Sequence, residues 1–115
     1  MEEKKIFING LKINYKIAGE GQLILILHGW GGSSDSWVEV IKILSNQGYK
    51  IICPDLPGFG KTQKPNYSWE LGDYRNFVKK FIENLNLEKF YLLGHSFGGA
   101  IAVKFSSIFP EKTEK

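Results

Sequence analysis

The chain has little of what builds metal centres or disulfide frameworks. Cys53 is its single cysteine, and His28 and His95 are its only histidines. One thiol closes no intrachain bridge, so this is not a stapled secreted domain. One cysteine and two histidines without ligand spacing also argue against a structural metal site. Arginine is nearly absent: Arg75 is the only one among fifteen Lys and Arg residues, and the net charge is +3. The lysines (Lys4, Lys5, Lys12, Lys16, Lys42, Lys50, Lys61, Lys64 and onward) are scattered. No basic block or aromatic–basic stripe forms, so no nucleic-acid partner is expected. No apolar run approaches the roughly 20 residues that span a bilayer, and no signal-peptide core follows Met1–Lys5. No membrane partner is therefore expected, and the cytoplasm is the default compartment.

What is present is ordinary for a globular chain: 43% hydrophobic and 23% charged residues in 115. That length has room for one small domain. Lys4–Ile8 and Leu11–Ile17 alternate apolar and polar residues around Asn9-Gly10, a strong hairpin signal. Leu23–Leu27 is an unbroken apolar run, as in a buried parallel strand. A helix is predicted from Ser34–Ser36, with Ser36 and Glu39 at capping-box spacing and Trp37, Val40, Ile41 and Leu44 on its apolar face. Gly48 is its stop. A strand over Tyr49–Cys53 follows, with Cys53 read as a buried apolar residue. Ser68 is placed to cap a helix whose face is Tyr74, Phe77, Val78, Phe81, Ile82 and Leu85. A strand over Phe90–Leu93 and a helix over Phe97–Phe109 come last, and the charged tail Glu111–Lys115 reads as frayed. A hairpin followed by alternating strands and helices predicts an α/β fold with a mainly parallel sheet.

Three motifs carry chemistry. Gly94-His95-Ser96-Phe97-Gly98-Gly99 lies between a predicted strand and helix, the context in which Gly-x-Ser-x-Gly presents a nucleophilic serine. His28-Gly29-Trp30-Gly31-Gly32 follows Leu27 and can turn backbone N–H groups toward a bound oxygen. Asp55-Leu56-Pro57-Gly58-Phe59-Gly60 follows the strand ending at Cys53.

In this order, the three motifs resemble those of the α/β-hydrolase family, over nearly all of this chain but only the N-terminal half of the family's catalytic domain. The resemblance implies that Ser96 is the catalytic nucleophile and that the backbone N–H groups of Trp30 and Phe97 form an oxyanion hole. His28, Gly29, Gly31, Gly94, His95 and Gly98 shape the two loops. It implies hydrolysis of a small-molecule carboxylic ester or related acyl substrate through an acyl-serine, with no cofactor. The rings of Trp30 and Phe97 line an acyl pocket or simply pack.

The family's acid and histidine follow the serine along the chain. Here Glu111 and Glu114 follow Ser96, and no histidine does. His28 and His95 belong to upstream motifs and are not expected to act as the base. Asp55 reads as a turn-shaping acceptor of backbone hydrogen bonds. Residues 1–115 are therefore expected to form the N-terminal part of an α/β-hydrolase domain that stops before the acid and base. The alternative is a non-catalytic fragment that needs a partner or the missing half.

A nucleotide-binding module is a further alternative, tested by titration with NAD(H). Gly60-Lys61-Thr62 imitates the end of a P-loop, but Asp55 stands where its first glycine belongs. Gly29-Trp30-Gly31 imitates a dinucleotide fingerprint, but Ser34 stands at the third glycine. With no strand after the last helix, Phe90–Leu93 is expected to be an open sheet edge inviting self-association.

Overall fold

The turn at Asn9-Gly10 sets the register of the first sheet pair. Both residues have positive φ, +47° and +83°, as a type I′ turn requires. In the computed structural model, which describes all of Met1–Lys115, strands β1 (Glu2–Ile8) and β2 (Leu11–Ala18) pair antiparallel from Ile8 opposite Leu11 to Glu2 opposite Ile17. The chain continues through β3 (Gln22–Leu27), a 3₁₀ turn at Ser34–Trp37, helix α1 (Val38–Ser45) and β4 (Tyr49–Pro54). Helix α2 (Leu71–Asn84), β5 (Tyr91–Gly94), helix α3 (Phe97–Ile108) and a 3₁₀ turn at Pro110–Lys112 complete it. The α/β architecture is the one the alternation predicts. No helix is long and apolar enough to cross a membrane.

The five strands lie in the order β1-β2-β4-β3-β5. The hairpin joins β4 antiparallel, and β4, β3 and β5 run parallel. From β3 the chain moves to β4 on one side, then returns across β3 to β5 on the other. Right-handed crossovers in opposite directions put the two connecting helices on opposite faces. Accordingly, Ile41 of α1 packs with Ile24, Ile26, Ile51 and Cys53 on one face. Tyr74, Phe77, Val78, Phe81 and Ile82 of α2 and Ile101 and Phe105 of α3 pack on Leu25, Leu27 and Ile52 on the other. The C-terminal end of β3 is thus a topological switch point, where open α/β sheets leave a crevice for ligands.

The structure moves two helix starts. Ser33, not Ser36, caps the turn before α1, its hydroxyl accepting the Asp35 N–H at 3.2 Å. Glu39 falls inside α1 and takes no part in a capping box. Helix α2 begins at Leu71 rather than beside Ser68, where the Asp73 carboxylate accepts the Glu70 N–H at 2.8 Å. At the other end, Gly48 adopts φ +88° just beyond α1, in agreement with its role as a stop.

The tail overturns the expectation of a frayed end and an unpaired edge. The 3₁₀ turn at Pro110–Lys112 reverses the chain, and Thr113 forms a parallel bridge with Phe90. The Glu114 N–H donates to Phe90 O at 2.8 Å, and the Leu92 N–H donates to Lys115 O at 2.7 Å. Periodicity could not show this, because three charged or polar residues carry no strand pattern and the pairing is made by backbone alone. A chain ended at Lys112 should therefore expose the β5 edge and self-associate more than the full chain in sedimentation at several concentrations. Equal sedimentation of the two would sink the role given to the tail.

Candidate active site

Strand β5 ends at Gly94 and α3 begins at Phe97, leaving two residues for the turn. Ser96 takes φ +56° and ψ −117°. Asn9 and Asn86 are the other non-glycine residues at positive φ, and asparagine tolerates that region. Serine does so less readily. Such a conformation costs on the order of 1–3 kcal/mol and persists only where its surroundings impose it. Here glycines impose it. A Cβ on Gly94 would collide with the Gly98 carbonyl, and one on Gly98 would collide with the carbonyls of Leu27 and His28. Strand β3, the turn and α3 close to backbone contact only without them. The His95 N–H donates to Leu27 O at 3.2 Å, tying the turn to the end of β3. The Ser96 side chain is left exposed.

The loop after β3 lies against this turn. A Cβ on Gly29 would sit 3.4 Å from the Ser96 Cβ and 3.0 Å from His95 Nδ1. Gly31 takes φ +75°, and the Gly32 N–H donates to Gly29 O at 3.1 Å. The next donor, the Trp30 N–H, has no acceptor in the chain. The Phe97 N–H is the first of α3 and has no intrahelical acceptor by construction. The Trp30 and Phe97 rings meet edge to face with centroids 5.0 Å apart. Gly29 and Trp30 from one loop and Ser96 and Phe97 from another therefore share one corner at the end of β3.

Neither histidine is hydrogen-bonded to Ser96. His28 is fully buried; its Nε2 accepts the Leu56 N–H at 2.9 Å, so its proton sits on Nδ1, 2.8 Å from Gly29 O. Burial holds its pKa below the usual imidazole value, against the pull of Gly29 O and Asp55. It is a neutral strut joining the ends of β3 and β4. His95 is exposed, with its ring edge to face with Trp37 at 6.2 Å.

Asp55 is 2% exposed and shapes the backbone, as its motif predicts. Oδ1 accepts the Ser34 N–H at 2.7 Å; Oδ2 accepts the Lys61 N–H and Asn14 Nδ2, each at 3.0 Å. Burial alone would raise its pKa, but these donors outweigh it and hold the carboxyl below the usual range. Ser34, at the third-glycine position of the dinucleotide pattern, thus already gives its N–H to Asp55.

Sequence reasoning did not find the polar cluster beside this carboxylate. Lys16 is buried, and its ammonium donates to Ser34 Oγ at 2.7 Å, Asp35 at 2.6 Å and Glu3 at 2.8 Å. Bonds to Lys16 and Lys61 pull the Glu3 pKa down to about 2. Two site aromatics were also missed. Phe59 lies edge to face with Trp30 at 5.0 Å and with His28 at 5.6 Å. Tyr74, assigned only to the core, packs on Phe97 at 5.1 Å and donates its hydroxyl to Pro57 O at 3.1 Å. The only signal for Phe59 was its place between Gly58 and Gly60.

Three of these pKa values lie below their unfolded counterparts, so acid should destabilise the fold. Each group's contribution is present above its unfolded pKa and is lost as pH falls toward its folded pKa. The melting temperature should begin to fall below about pH 6.5, from His28, and more steeply below about pH 4.5, from Asp55 and Glu3. Asp55→Ala strands three donors and should cost about 3 kcal/mol or more at neutral pH in urea unfolding. A melting temperature flat from pH 7 to 3, or a loss under 1 kcal/mol, would contradict this reading.

Residues 22–113 match the profile of the alpha/beta hydrolase fold family. The chain is 34% identical over 99 residues to a soluble epoxide hydrolase of Corynebacterium sp., covering 86% of this chain and 34% of the relative. It is 34% identical over 110 residues to a 2-hydroxy-6-oxononadienedioate/2-hydroxy-6-oxononatrienedioate hydrolase of Pseudomonas putida, covering 91% and 39%. Among solved structures, an epoxide hydrolase of Vigna radiata superposes with a TM-score of 0.93 at 30% identity, covering 98% of this chain and 37% of that one. The chain spans between about a third and two fifths of the length of these relatives. With the profile matched over most of its length and the sheet order and serine turn described above, the chain belongs to the α/β-hydrolase fold family.

Proposed function

We propose that Ser96 is the nucleophile of a hydrolase acting on a carboxylic ester or related acyl substrate. The observation that carries this is the exposed serine at φ +56°, packed against Gly29 and placed one residue before the first N–H of α3. Oγ attacks the carbonyl carbon while a base takes its proton. The carbonyl oxygen becomes an oxyanion, stabilised by the N–H groups of Trp30 and Phe97. Each such donor is commonly worth about 3–4 kcal/mol in the transition state. Collapse expels the alcohol, which takes the proton, and leaves an acyl-serine. Water then attacks the acyl carbon and frees the serine.

The identity of residue 96 also favours one of the chemistries named for the relatives over the other. A serine that opened an epoxide would form an alkyl ether, which water does not cleave at neutral pH. A serine that attacks a carbonyl forms an ester, which water does cleave. The Pseudomonas relative is named for a 6-oxo compound, a carbonyl electrophile. A carbonyl substrate therefore suits Ser96 and an epoxide does not.

We propose further that the base and its acid lie outside these 115 residues, which form the N-terminal part of the catalytic domain. Two observations support this. His28 is committed to Leu56, and His95 makes no bond to Ser96. The relatives are two to three times longer.

A fluorophosphonate probe should label Ser96 in a chain joined to the remaining two thirds of the domain, and Ser96→Ala should abolish the labelling. Labelling that survives this substitution would remove Ser96 from its role. The 115-residue chain alone should hydrolyse a p-nitrophenyl ester about 10⁴- to 10⁶-fold more slowly than a complete hydrolase. Full turnover by the short chain, lost in Ser96→Ala, would show that it holds its own base.

A further inference from the structure

Lys16 is a buried cation with every donor used. It is 4% exposed, and its ammonium bonds Ser34 Oγ, Asp35 Oδ1 and Glu3 Oε1. Burial alone would lower its pKa, but the bonds to Asp35 and Glu3 outweigh it and hold the ammonium above its usual value. Stability does not explain such a residue, because desolvating an ion pair offsets most of what the pair gains. Nor do the acids need it: water reaches the side chains of Asp35 and Glu3, which are 71% and 34% exposed. Ser34 is fully buried, so its hydroxyl has no such recourse.

The bonds of Lys16 close a ring. Its ammonium meets Ser34 Oγ, and the Ser34 N–H donates to Asp55 Oδ1. Asp55 Oδ2 accepts the Lys61 N–H, Lys61 Nζ donates to Glu3 Oε2 at 2.7 Å, and Glu3 Oε1 returns to Lys16. Side chains of β1, β2 and β4 thereby grip the loops after β3 and β4. Ser34 is the point where the first loop is gripped. Just before it, the Gly32 N–H closes a turn onto Gly29 O, with Trp30 and Gly31 at its corners. The orientation of that turn sets where the Trp30 N–H points. His28 fixes the entrance to the turn through Leu56, and Ser34 fixes the exit. A single bond at the Ser34 N–H leaves the residue free to pivot, and the second bond at Oγ removes that freedom.

We propose that Lys16 is a positioning residue: by completing the ring and holding Ser34 at a second atom, it keeps the Gly29–Gly32 turn still, with the Trp30 N–H directed into the serine corner. The catalytic use of that N–H rests on the role proposed for Ser96. The immobilisation of the turn does not.

Backbone ¹⁵N relaxation of the 115-residue chain tests the immobilisation. In the unaltered chain the order parameters of Trp30 and Gly31 should equal those of β3, about 0.85. In Lys16→Met and in Ser34→Ala they should fall to about 0.6 or below. Ser34→Ala removes one hydroxyl and keeps the N–H bond to Asp55, so it tests the same link with little disturbance of the fold. Val78→Ala, in the core against α2, lowers stability without touching the ring and should leave the turn rigid. In a chain joined to the remaining two thirds of the domain, Lys16→Met and Ser34→Ala should lower kcat for a p-nitrophenyl ester about tenfold or more, with KM within about twofold, because the lost aim is felt in the transition state. Val78→Ala should leave both constants unchanged. Order parameters that stay high in both ring variants, or fall equally in Val78→Ala, would overturn the role of Lys16, as would a raised KM at unchanged kcat. An error in the role of Ser96 would show separately, as fluorophosphonate labelling that survives Ser96→Ala, and the order parameters would then decide alone.

Discussion

A single buried carboxylate holds the working end of this molecule together. Asp55 stands at the end of β4 and takes hydrogen bonds from three segments: β2 through Asn14, the loop after β3 through Ser34, and its own loop through Lys61. Backbone N–H groups in such loops have no ladder to join, and burying them unpaired is costly. An anion with two oxygens gathers several at once, which no neutral side chain of its size does as well. His28 makes a similar link from β3 to Leu56. With both ends fixed, the loop that carries Gly29 and Trp30 has little freedom, and its resting place is against Ser96.

In the reaction proposed for Ser96 that rigidity would matter, because oxyanion stabilisation depends on donors already aimed before the charge appears. The strained serine turn belongs to the same design. Local preference opposes φ +56° at Ser96, and the close contacts of β3, β5 and α3 override it. The fold and the site are therefore not separable: the glycines that let the layers touch are the ones that present the hydroxyl.

Much of this was legible in the chain. The Asn9-Gly10 turn, the apolar run of β3, the face of α2 and the strand–serine–helix sequence were readable because each is local or periodic. The helix starts were not, because capping at Ser33 and Asp73 depends on how the preceding loop is held, and several serines and acids compete for each cap. The burial of Lys16 was invisible for a different reason. A lysine in an alternating strand reads as solvent-facing, and only the arrival of Glu3, Asp35 and Ser34 around it makes the inside tolerable. The tail was missed because its attachment uses main chain rather than side chains.

The position of β3 has a consequence for how the molecule comes into being. It is the central parallel strand, yet both of its neighbours are made after it: Ile24 pairs with Ile51 and with Tyr91. The hairpin can form as soon as it leaves the ribosome, whereas Gln22–Leu27, with no charge in six residues, must wait for most of the chain. At about 5–20 residues per second that wait lasts several seconds. During it, the segment is uncharged, rich in β-formers and free of proline, the composition that stacks with copies of itself. The same strand that anchors the finished sheet is thus an aggregation-prone segment of the nascent chain until β4 and β5 arrive to cover it.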